Sequence, residues 1–351
     1  MAESRLITIS KAELDPNPVQ TGKSYIVRVT LEKKAYWLDY PYDYAHDYAK
    51  GDESMSVKTV QAVINGQTYT LTKNTSTGKY EATITAPSKS SYTLSGHYYP
   101  VTVKATDDAG NVTTKDATDS TLGASLRLQV KEKVVPVITI TAPTASQYLA
   151  NSTPAIAWKI TDDDSGVNPS TIALKVDGTA VDTSKITKTA VTGGYTCSYI
   201  PASALSDGAH TVVATASDYD GNAAEQKSVT FTVDTIPPTL SISAPAEEFI
   251  TNKSTVTVKG TTDDATSKPV TVTVNGAPIL VTPSGTFSKD VTLKEGSNTI
   301  TIVAKDKAGK TTTVTRTVKL DTAPPVIKSA TITPNPVDCG KTFVISVEVT
   351  D

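Results

Sequence analysis

Aspartates gather at several points of this 351-residue chain, and their carboxylates are the side chains best suited to bind a hard cation. Asp162, Asp163 and Asp164 are consecutive, whereas Asp234 and Asp321 each stand shortly before a pair of prolines. Smaller acidic groups are Asp107 with Asp108 and Asp218 with Asp220. Calcium needs six or more converging oxygens, and none of these groups has the spacing of a calcium-binding loop. Because aspartate also caps turns, we predict turn residues and no cofactor, and we keep the first five as calcium candidates.

The residue types of enzyme active sites are present but form no recognisable set. His46, His97 and His210 lie far apart, without the spacing of metal ligands. The sequence contains no Gly-x-Ser-x-Gly elbow, phosphate loop, His-Glu-x-x-His or Cys-x-x-Cys motif. Cys197 alternates with polar residues and is predicted to be a small core residue, and a disulfide to the distant Cys339 is not expected. We therefore predict no catalytic residue and no enzyme.

One segment, residues 36–53, is unusually rich in tyrosine and aspartate and follows a strand predicted to end near Glu32. Tyrosine and tryptophan present large, rigid, amphipathic faces, so the segment is a candidate binding or assembly surface. Its candidate residues are Tyr36, Trp37, Tyr40, Tyr42, Tyr44 and Tyr48. The alternative is a loop packed on itself or on its own sheet. If it binds a partner, a protein is favoured over a glycan, since nothing marks a sugar-sized cleft.

The elements that position these residues repeat along the chain. Asn65-Gly66, Asp177-Gly178 and Asn275-Gly276 each predict a two-residue hairpin, because both residues tolerate positive φ. An Asp-x-x-Gly turn follows an alternating strand three times, at Asp107, Asp218 and Asp306. Two stretches beginning at residues 136 and 238 have the form Pro-x-φ-x-φ-x-Ala-Pro, where φ is apolar, which predicts an edge strand.

These repeats predict an all-β fold of tandem immunoglobulin-like β-sandwich domains in an elongated array. The 19 glycines and 20 prolines are spread as turn residues, as many short strands require. Paired prolines in the linkers predict semi-rigid connections. The predicted modules one to four are residues 1–132, with the insertion at 36–53, residues 133–235, residues 236–322 and residues 323–351.

Module four is predicted to be partial, with only the first two strands of a domain. Residues 333–347 align without gaps with the similar residues 15–29, and two strands alone cannot bury a core. Three explanations stay open: the sequence is part of a longer protein, another chain completes the domain, or the strands pack on module three.

Charge and hydropathy exclude some partners. The net charge is −3 and no basic run is interleaved with aromatic residues, so we predict no nucleic-acid binding. The apolar runs are too short for membrane insertion. The first residues lack a basic region followed by an apolar stretch, which favours a protein that is not exported by a signal peptide.

The Asp-x-x-Gly-Asn turn, the Val-Asp-Thr-x-Pro-Pro linker ending at Pro238 and the opening at residues 332–337 resemble bacterial and phage Ig-like repeats. The resemblance covers nearly the whole chain and implies a structural or adhesive role. We expect a structural or accessory protein of a phage or phage tail-like particle, located in the virion and present in many copies. Its expected partners are other particle proteins. The alternative is a fragment of a bacterial surface adhesin or stalk that binds a host protein or glycan.

Overall fold

The computed structural model describes residues 3–37 and 56–351. It divides into two compact units. The first contains the described residues of Met1–Pro143, Ala155–Tyr199 and Thr211–Val229, and the second contains Thr144–Pro154, Ile200–His210 and Thr230–Asp351. Among the described residues, no helix is long and apolar enough to cross a membrane.

The described part of module one contains ten strands and two short 3-10 helices. They are β1 (Glu3–Asp15), β2 (Val19–Gln20), β3 (Ser24–Trp37), β4 (Val57–Ile64), β5 (Gln67–Lys73), β6 (Tyr80–Thr85), η1 (Ser95–His97), β7 (Tyr99–Asp107), β8 (Val112–Lys115), η2 (Gly123–Leu126), β9 (Arg127–Leu128) and β10 (Val130–Lys131). The sheet order is β1-β3-β6-β5-β4-β7-β8, with β9 paired to β7, and β10 pairs in parallel with β2. Alternate residues such as Val27, Val29, Val101 and Val103 are fully buried, so each strand turns one face to a shared core.

Module two has nine strands and one 3-10 helix. They are β11 (Val137–Ala142), β12 (Tyr148–Leu149), β13 (Ile156–Thr161), β14 (Ala173–Val176), β15 (Thr179–Ala180), η3 (Thr183–Lys185), β16 (Thr187–Val191), β17 (Gly194–Tyr199), β18 (Gly208–Thr215) and β19 (Lys227–Val233). In the first unit, β11-β13-β17-β16 form an antiparallel sheet, and β14 pairs with both β15 and β18. In the second unit, β12 pairs with β19 in parallel. Ile156, Trp158 and Ile160 alternate along β13 and are buried.

Module three is a two-sheet sandwich within the second unit. Its strands are β20 (Thr239–Ala244), β21 (Phe249–Thr251), β22 (Thr255–Asp263), β23 (Thr271–Val274), β24 (Ala277–Ile279), β25 (Thr286–Thr292), β26 (Gly296–Lys305) and β27 (Thr311–Leu320). The sheets are β20-β22-β25 and β21-β27-β26-β23-β24. Val258, Phe287 and Ile302 belong to the single core of this module.

Module four consists of β28 (Val326–Thr333) and β29 (Val344–Thr350), which form a two-stranded antiparallel sheet. Its apolar side chains are exposed, Ile327, Phe343 and Ile345 among them. This exposure argues against the explanation that these strands pack on module three. The division of the chain into four modules stays a prediction.

Several local predictions are confirmed. Both residues of each hairpin dipeptide have positive φ, from 48° and 75° at Asn65-Gly66 to 50° and 79° at Asn275-Gly276. The openings at residues 136 and 238 form β11 and β20, each at the edge of its sheet. The predicted strand end near Glu32 is wrong, because β3 continues to Trp37, whose backbone pairs with that of Glu3 at the start of β1.

Candidate functional site

The structure separates the candidate residues suggested by the sequence. Tyr36 and Trp37 are the last two residues of β3, whereas Tyr40, Tyr42, Tyr44 and Tyr48 lie outside the described residues. The binding role of this segment stays a prediction.

Among the five calcium candidates, only Asp162 and Asp234 are buried. Asp163 is exposed and Asp164 is half-buried, and the Asp164 carboxylate accepts a hydrogen bond from the backbone of Ser90 at 3.0 Å. Asp321 is paired with Lys319 at 3.0 Å, and this contact holds the pKa of its carboxyl below the ordinary value. The two buried aspartates belong to separate clusters.

The first cluster joins Glu132, Asp162 and Asp218 in the first unit. Glu132 directly follows β10, Asp162 directly follows β13, and Asp218 begins the turn after β18. Carboxylate oxygens of all three lie within 4.8 Å of one another, and the residues are between 1% and 7% exposed. Two like charges about 4 Å apart repel by roughly 4 kcal/mol at an effective dielectric constant of about 20, so an unneutralised cluster is strained.

Hydrogen bonds fix two of these carboxylates from their own loops. Asp162 Oδ1 accepts hydrogen bonds from the backbone N–H groups of Asp164 and Gly166, at 3.1 and 2.6 Å. Asp162 Oδ2 is buried and has no hydrogen-bond partner among the described residues. Both oxygens of Asp218 accept hydrogen bonds from Asn222, one from its backbone and one from its side-chain amide, each at 2.8 Å.

Glu132 is contacted from the loops of module two. Its Oε1 accepts hydrogen bonds from Ser165 Oγ at 3.0 Å and Asn222 Nδ2 at 3.1 Å, and its Oε2 accepts one from the backbone of Val134. Burial, and then the neighbouring Asp218 carboxyl, raise the pKa of Glu132 above its ordinary value. Burial removes water from the charged carboxylate and the nearby Asp218 carboxylate repels it, so both effects favour the protonated form.

The second cluster has the same construction and lies in the second unit. It joins Asp234, which follows β19, Asp264, which follows β22, and Asp306, which follows β26. Their carboxylate oxygens again lie within 4.8 Å of one another, and the three residues are between 0% and 6% exposed. The arrangement at Glu132 is therefore repeated one module later.

The contacts of the second cluster match those of the first. Ser267 Oγ donates to Asp234 Oδ2, as Ser165 donates to Glu132. Asp264 Oδ1 accepts from the backbone N–H groups of Thr266 and Ser267 at 2.8 and 2.6 Å. Asp306 Oδ1 accepts from the backbone of Lys310 at 2.8 Å, while its Oδ2 is buried without a hydrogen-bond partner among the described residues.

Module one has an aspartate that makes the same turn hydrogen bonds without joining a carboxylate cluster. Asp107 occupies the same turn position as Asp218, and Asn111 donates to both of its oxygens at 2.8 Å. Asp107 is 8% exposed and belongs to no three-carboxylate cluster in residues 3–37 and 56–351. The predicted turn role of this aspartate is therefore real, and the clusters are an addition to it.

Four residues of the two clusters, Glu132, Asp218, Asp264 and Asp306, are not among the five calcium candidates predicted from the sequence. A signal was available, because an aspartate followed three positions later by serine occurs after the second long strand of modules two and three. Each pair is preceded at the same distance by an acidic linker residue, Glu132 or Asp234.

Aromatic contacts lie beside the first cluster, within the first unit. The Tyr92 ring stacks on Tyr219 with centroids 4.1 Å apart and on His97 with centroids 4.2 Å apart. These rings line a cavity of ≈ 240 Å³ together with Lys131 and Asp220. The backbone N–H of Glu132 donates to Asp220 Oδ2 at 2.9 Å. Modules one and two thus share a junction of buried carboxylates and stacked rings.

Three family models match parts of the chain. Residues 138–235 match a family described as "Bacterial Ig-like domain", and residues 193–278 match "Bacterial Ig-like domain (group 3)". Residues 238–322 match "Glucodextranase, domain B". Together with the strand order, these matches decide the fold. The chain folds into tandem Ig-like β-sandwich domains. Such domains are typical of extracellular or surface proteins and are consistent with a non-enzymatic structural role.

Curated relatives match shorter stretches. Bacillopeptidase F of Bacillus subtilis is 35% identical over 123 residues, which is 35% of this chain and 8% of that protein. Chitinase ChiA of Flavobacterium johnsoniae is 26% identical over 204 residues, which is 53% of this chain and 12% of that protein. The matched segments therefore span about a tenth of the relatives' length.

Solved structures also share general likeness. A titin fragment of three Ig domains matches with a TM-score of 0.41 at 13% identity. The match covers 88% of this chain and 98% of the titin fragment. The fibronectin(III)-like modules of Clostridium thermocellum CbhA have a TM-score of 0.34 at 20% identity and cover 53% of this chain and 94% of their own.

Proposed function

We propose that the chain is a non-catalytic spacer, in which polar contacts at the junctions hold consecutive Ig-like modules in fixed orientation. The observation that supports this proposal is the first junction. Glu132 is the last residue of the predicted module one, yet its carboxylate is buried against Ser165 and Asn222 of module two. A freely flexing linker would leave such a side chain in water.

Further contacts restrain the same junction. The Ser90 backbone donates to Asp164, and Asn222 Nδ2 donates to the backbone carbonyl of Glu132 at 3.1 Å. The stack of Tyr92 on Tyr219 adds an aromatic contact on one side. Aromatic pairs of this kind stabilise by about 0.5–1.5 kcal/mol beyond their buried area. Contacts distributed around the linker restrain both bending and twisting.

The spacer function is tested by distance measurement between spin labels across the junction. Nitroxides would be attached to Thr68→Cys and Thr189→Cys, both at exposed positions, in a Cys339→Ser background. Double electron–electron resonance is expected to give one narrow distance distribution. A Gly-Ser insertion after Lys133 serves as the flexible control and is expected to broaden it. A distribution as broad in the unmodified chain as in the control would refute the spacer.

We further propose that this spacer is an accessory segment of a larger extracellular protein. The names of the relatives, a peptidase and a chitinase, and the match to a domain of glucodextranase support this setting. In a bacterial surface protein the same spacer would present a neighbouring domain to a host protein or glycan. Fractionation of the native host culture tests the setting, since the spacer would be recovered outside the cell as part of a longer polypeptide.

The second candidate is a structural or accessory component of a phage or phage tail-like particle, present in many copies and docked through protein–protein contacts. The resemblance of the turns and linkers to phage Ig-like repeats supports it. Docking would use Tyr40, Tyr42, Tyr44 and Tyr48, which offer aromatic side chains rich in contact area.

Replacing these four tyrosines with serine is expected to leave the circular dichroism spectrum unchanged and to abolish recovery with purified particles. The control is Tyr98→Ser, which removes a tyrosine outside that segment. Normal incorporation of the fourfold variant would refute the docking role.

A further inference from the structure

We propose that each of the two carboxylate clusters binds one calcium ion, which joins the acidic linker residue to two loops of the module that follows. The first site is Glu132, Asp162 and Asp218, and the second is Asp234, Asp264 and Asp306. This inference deepens the proposed spacer function. Only the role of the ion, which is to stabilise the junction, rests on that function.

Charge is the first observation behind the proposal. Each cluster places three carboxylates in a space that is nearly closed to water. In the described part of the chain, none of the six forms an ion pair with lysine or arginine. Buried like charges without a counter-charge are strongly unfavourable, and a divalent cation removes the repulsion at once.

The orphaned oxygens are the second, independent observation. Asp162 Oδ2 in the first cluster and Asp306 Oδ2 in the second are buried, and each lacks a hydrogen-bond partner among the described residues. Both residues are more than nine-tenths buried. Nearly all buried polar atoms in folded proteins are paired, so an unpaired carboxylate oxygen in a cluster of acids points to a missing ligand. Each cluster therefore contains one such oxygen.

The donor set and its dimensions indicate calcium. The ligand atoms are oxygens, with no histidine or cysteine in either group. Oxygen-only sets suit calcium and magnesium, whereas zinc favours nitrogen and sulfur. One carboxylate oxygen from each residue lies within 4.8 Å of the other two, so a single ion with bonds of about 2.4 Å can contact all three residues. Calcium also accepts irregular carboxylate geometry that the octahedral preference of magnesium disfavours.

The experiment is equilibrium dialysis of the full chain, freed of metal by chelator, against micromolar to millimolar calcium chloride. We expect two ions bound per chain. Asp162→Asn and Asp306→Asn are expected to bind one ion each, and the double variant none. Asparagine retains the oxygen that accepts backbone hydrogen bonds in both loops, so these changes remove mainly the charge and the orphaned oxygen.

The matched control is Asp107→Asn, which changes the equivalent turn aspartate of module one, where no cluster forms in the described structure. It is expected to retain both ions. Zero ions on the unsubstituted chain, or an equal loss of binding in the Asp107 variant, would overturn the proposal. Circular dichroism establishes whether each variant is folded. If a variant is unfolded, the number of calcium ions bound by the unsubstituted chain tests the proposal. Magnesium chloride at equal concentration is expected to displace little calcium, and full displacement would contradict the assignment of calcium.

Failure of the sites and failure of the spacer give different results. A narrow distance distribution between positions 68 and 189 with no bound calcium would overturn the sites and leave the spacer function. Two bound ions with a broad distribution would overturn the spacer function and leave the sites.

Discussion

Replacing Asn222 with alanine tests how strongly the first junction is fixed by hydrogen bonds alone. One amide group of Asn222 contacts Asp218 Oδ2 at 2.8 Å and both the backbone carbonyl and Oε1 of Glu132 at 3.1 Å. Among the described residues, the side-chain amide of its counterpart Asn111 donates only to Asp107, the equivalent turn residue. Asn222→Ala and Asn111→Ala therefore remove the same local contact to the turn aspartate. Only Asn222→Ala also removes contacts across the junction.

The magnitude follows from the groups left behind. Loss of a donor to a buried acceptor costs about 1–3 kcal/mol, and more when the acceptor is charged. Asn222→Ala leaves the buried Glu132 without one N–H donor, so it should destabilise module two by about 1–3 kcal/mol more than Asn111→Ala destabilises module one. The comparison is made in chelator, so that no bound cation replaces the lost donor.

Hydrogen exchange followed by mass spectrometry is the appropriate assay, because it reads each module separately in one sample. Peptides from β18 and β19 report on module two, and peptides from β7 and β8 report on module one. A difference between the two losses smaller than about 0.5 kcal/mol would refute the reasoning, since the contacts to Glu132 would then contribute nothing measurable.

Two further outcomes follow from single side chains. Burial raises the pKa of the Cys197 thiol to about 11, so iodoacetamide at pH 8 should label Cys339 alone in the folded chain, and mass mapping of a second label on Cys197 would contradict this. The pKa of Glu13 is lowered to about 2, first by Lys11 and then by Lys79. Because the folded-state pKa is depressed, its stabilisation is present above about 4.5 and is lost as pH falls towards 2. Glu13→Gln should flatten the pH dependence of the unfolding temperature of module one between about pH 4.5 and pH 2. An unchanged pH dependence would contradict the pairing.

The strands could be predicted because their causes are local. Asn65-Gly66 specifies a hairpin through its own φ preferences, and the alternation of Val101 and Val103 in β7 specifies which face is buried. A short stretch of sequence contains all of that information. The true end of β3 at Trp37 could not be predicted in this way, because its pairing partner Glu3 lies at the far end of a long hairpin.

The clusters could not be predicted in this way, because their members come from three separate elements. Glu132 looks like a linker residue, Asp162 like one of three loop acids and Asp218 like a turn residue. Each of these interpretations is correct for the local backbone. The approach of the three carboxylates depends on how β10 leads into module two, which no single motif encodes.

The Asp-x-x-Gly turns at Asp107 and Asp218 differ in their surroundings and not in their own hydrogen bonds. Asp107 and Asp218 have the same contacts with Asn111 and Asn222, so the turn itself does not require a cluster. What differs is the acidic residue that enters from the preceding linker and meets a serine hydroxyl. A structural turn needs its aspartate for local hydrogen bonds and gains nothing from a buried acid beside it. The linker acid is therefore the residue whose presence requires an explanation beyond folding of the single module, and a shared cation supplies one.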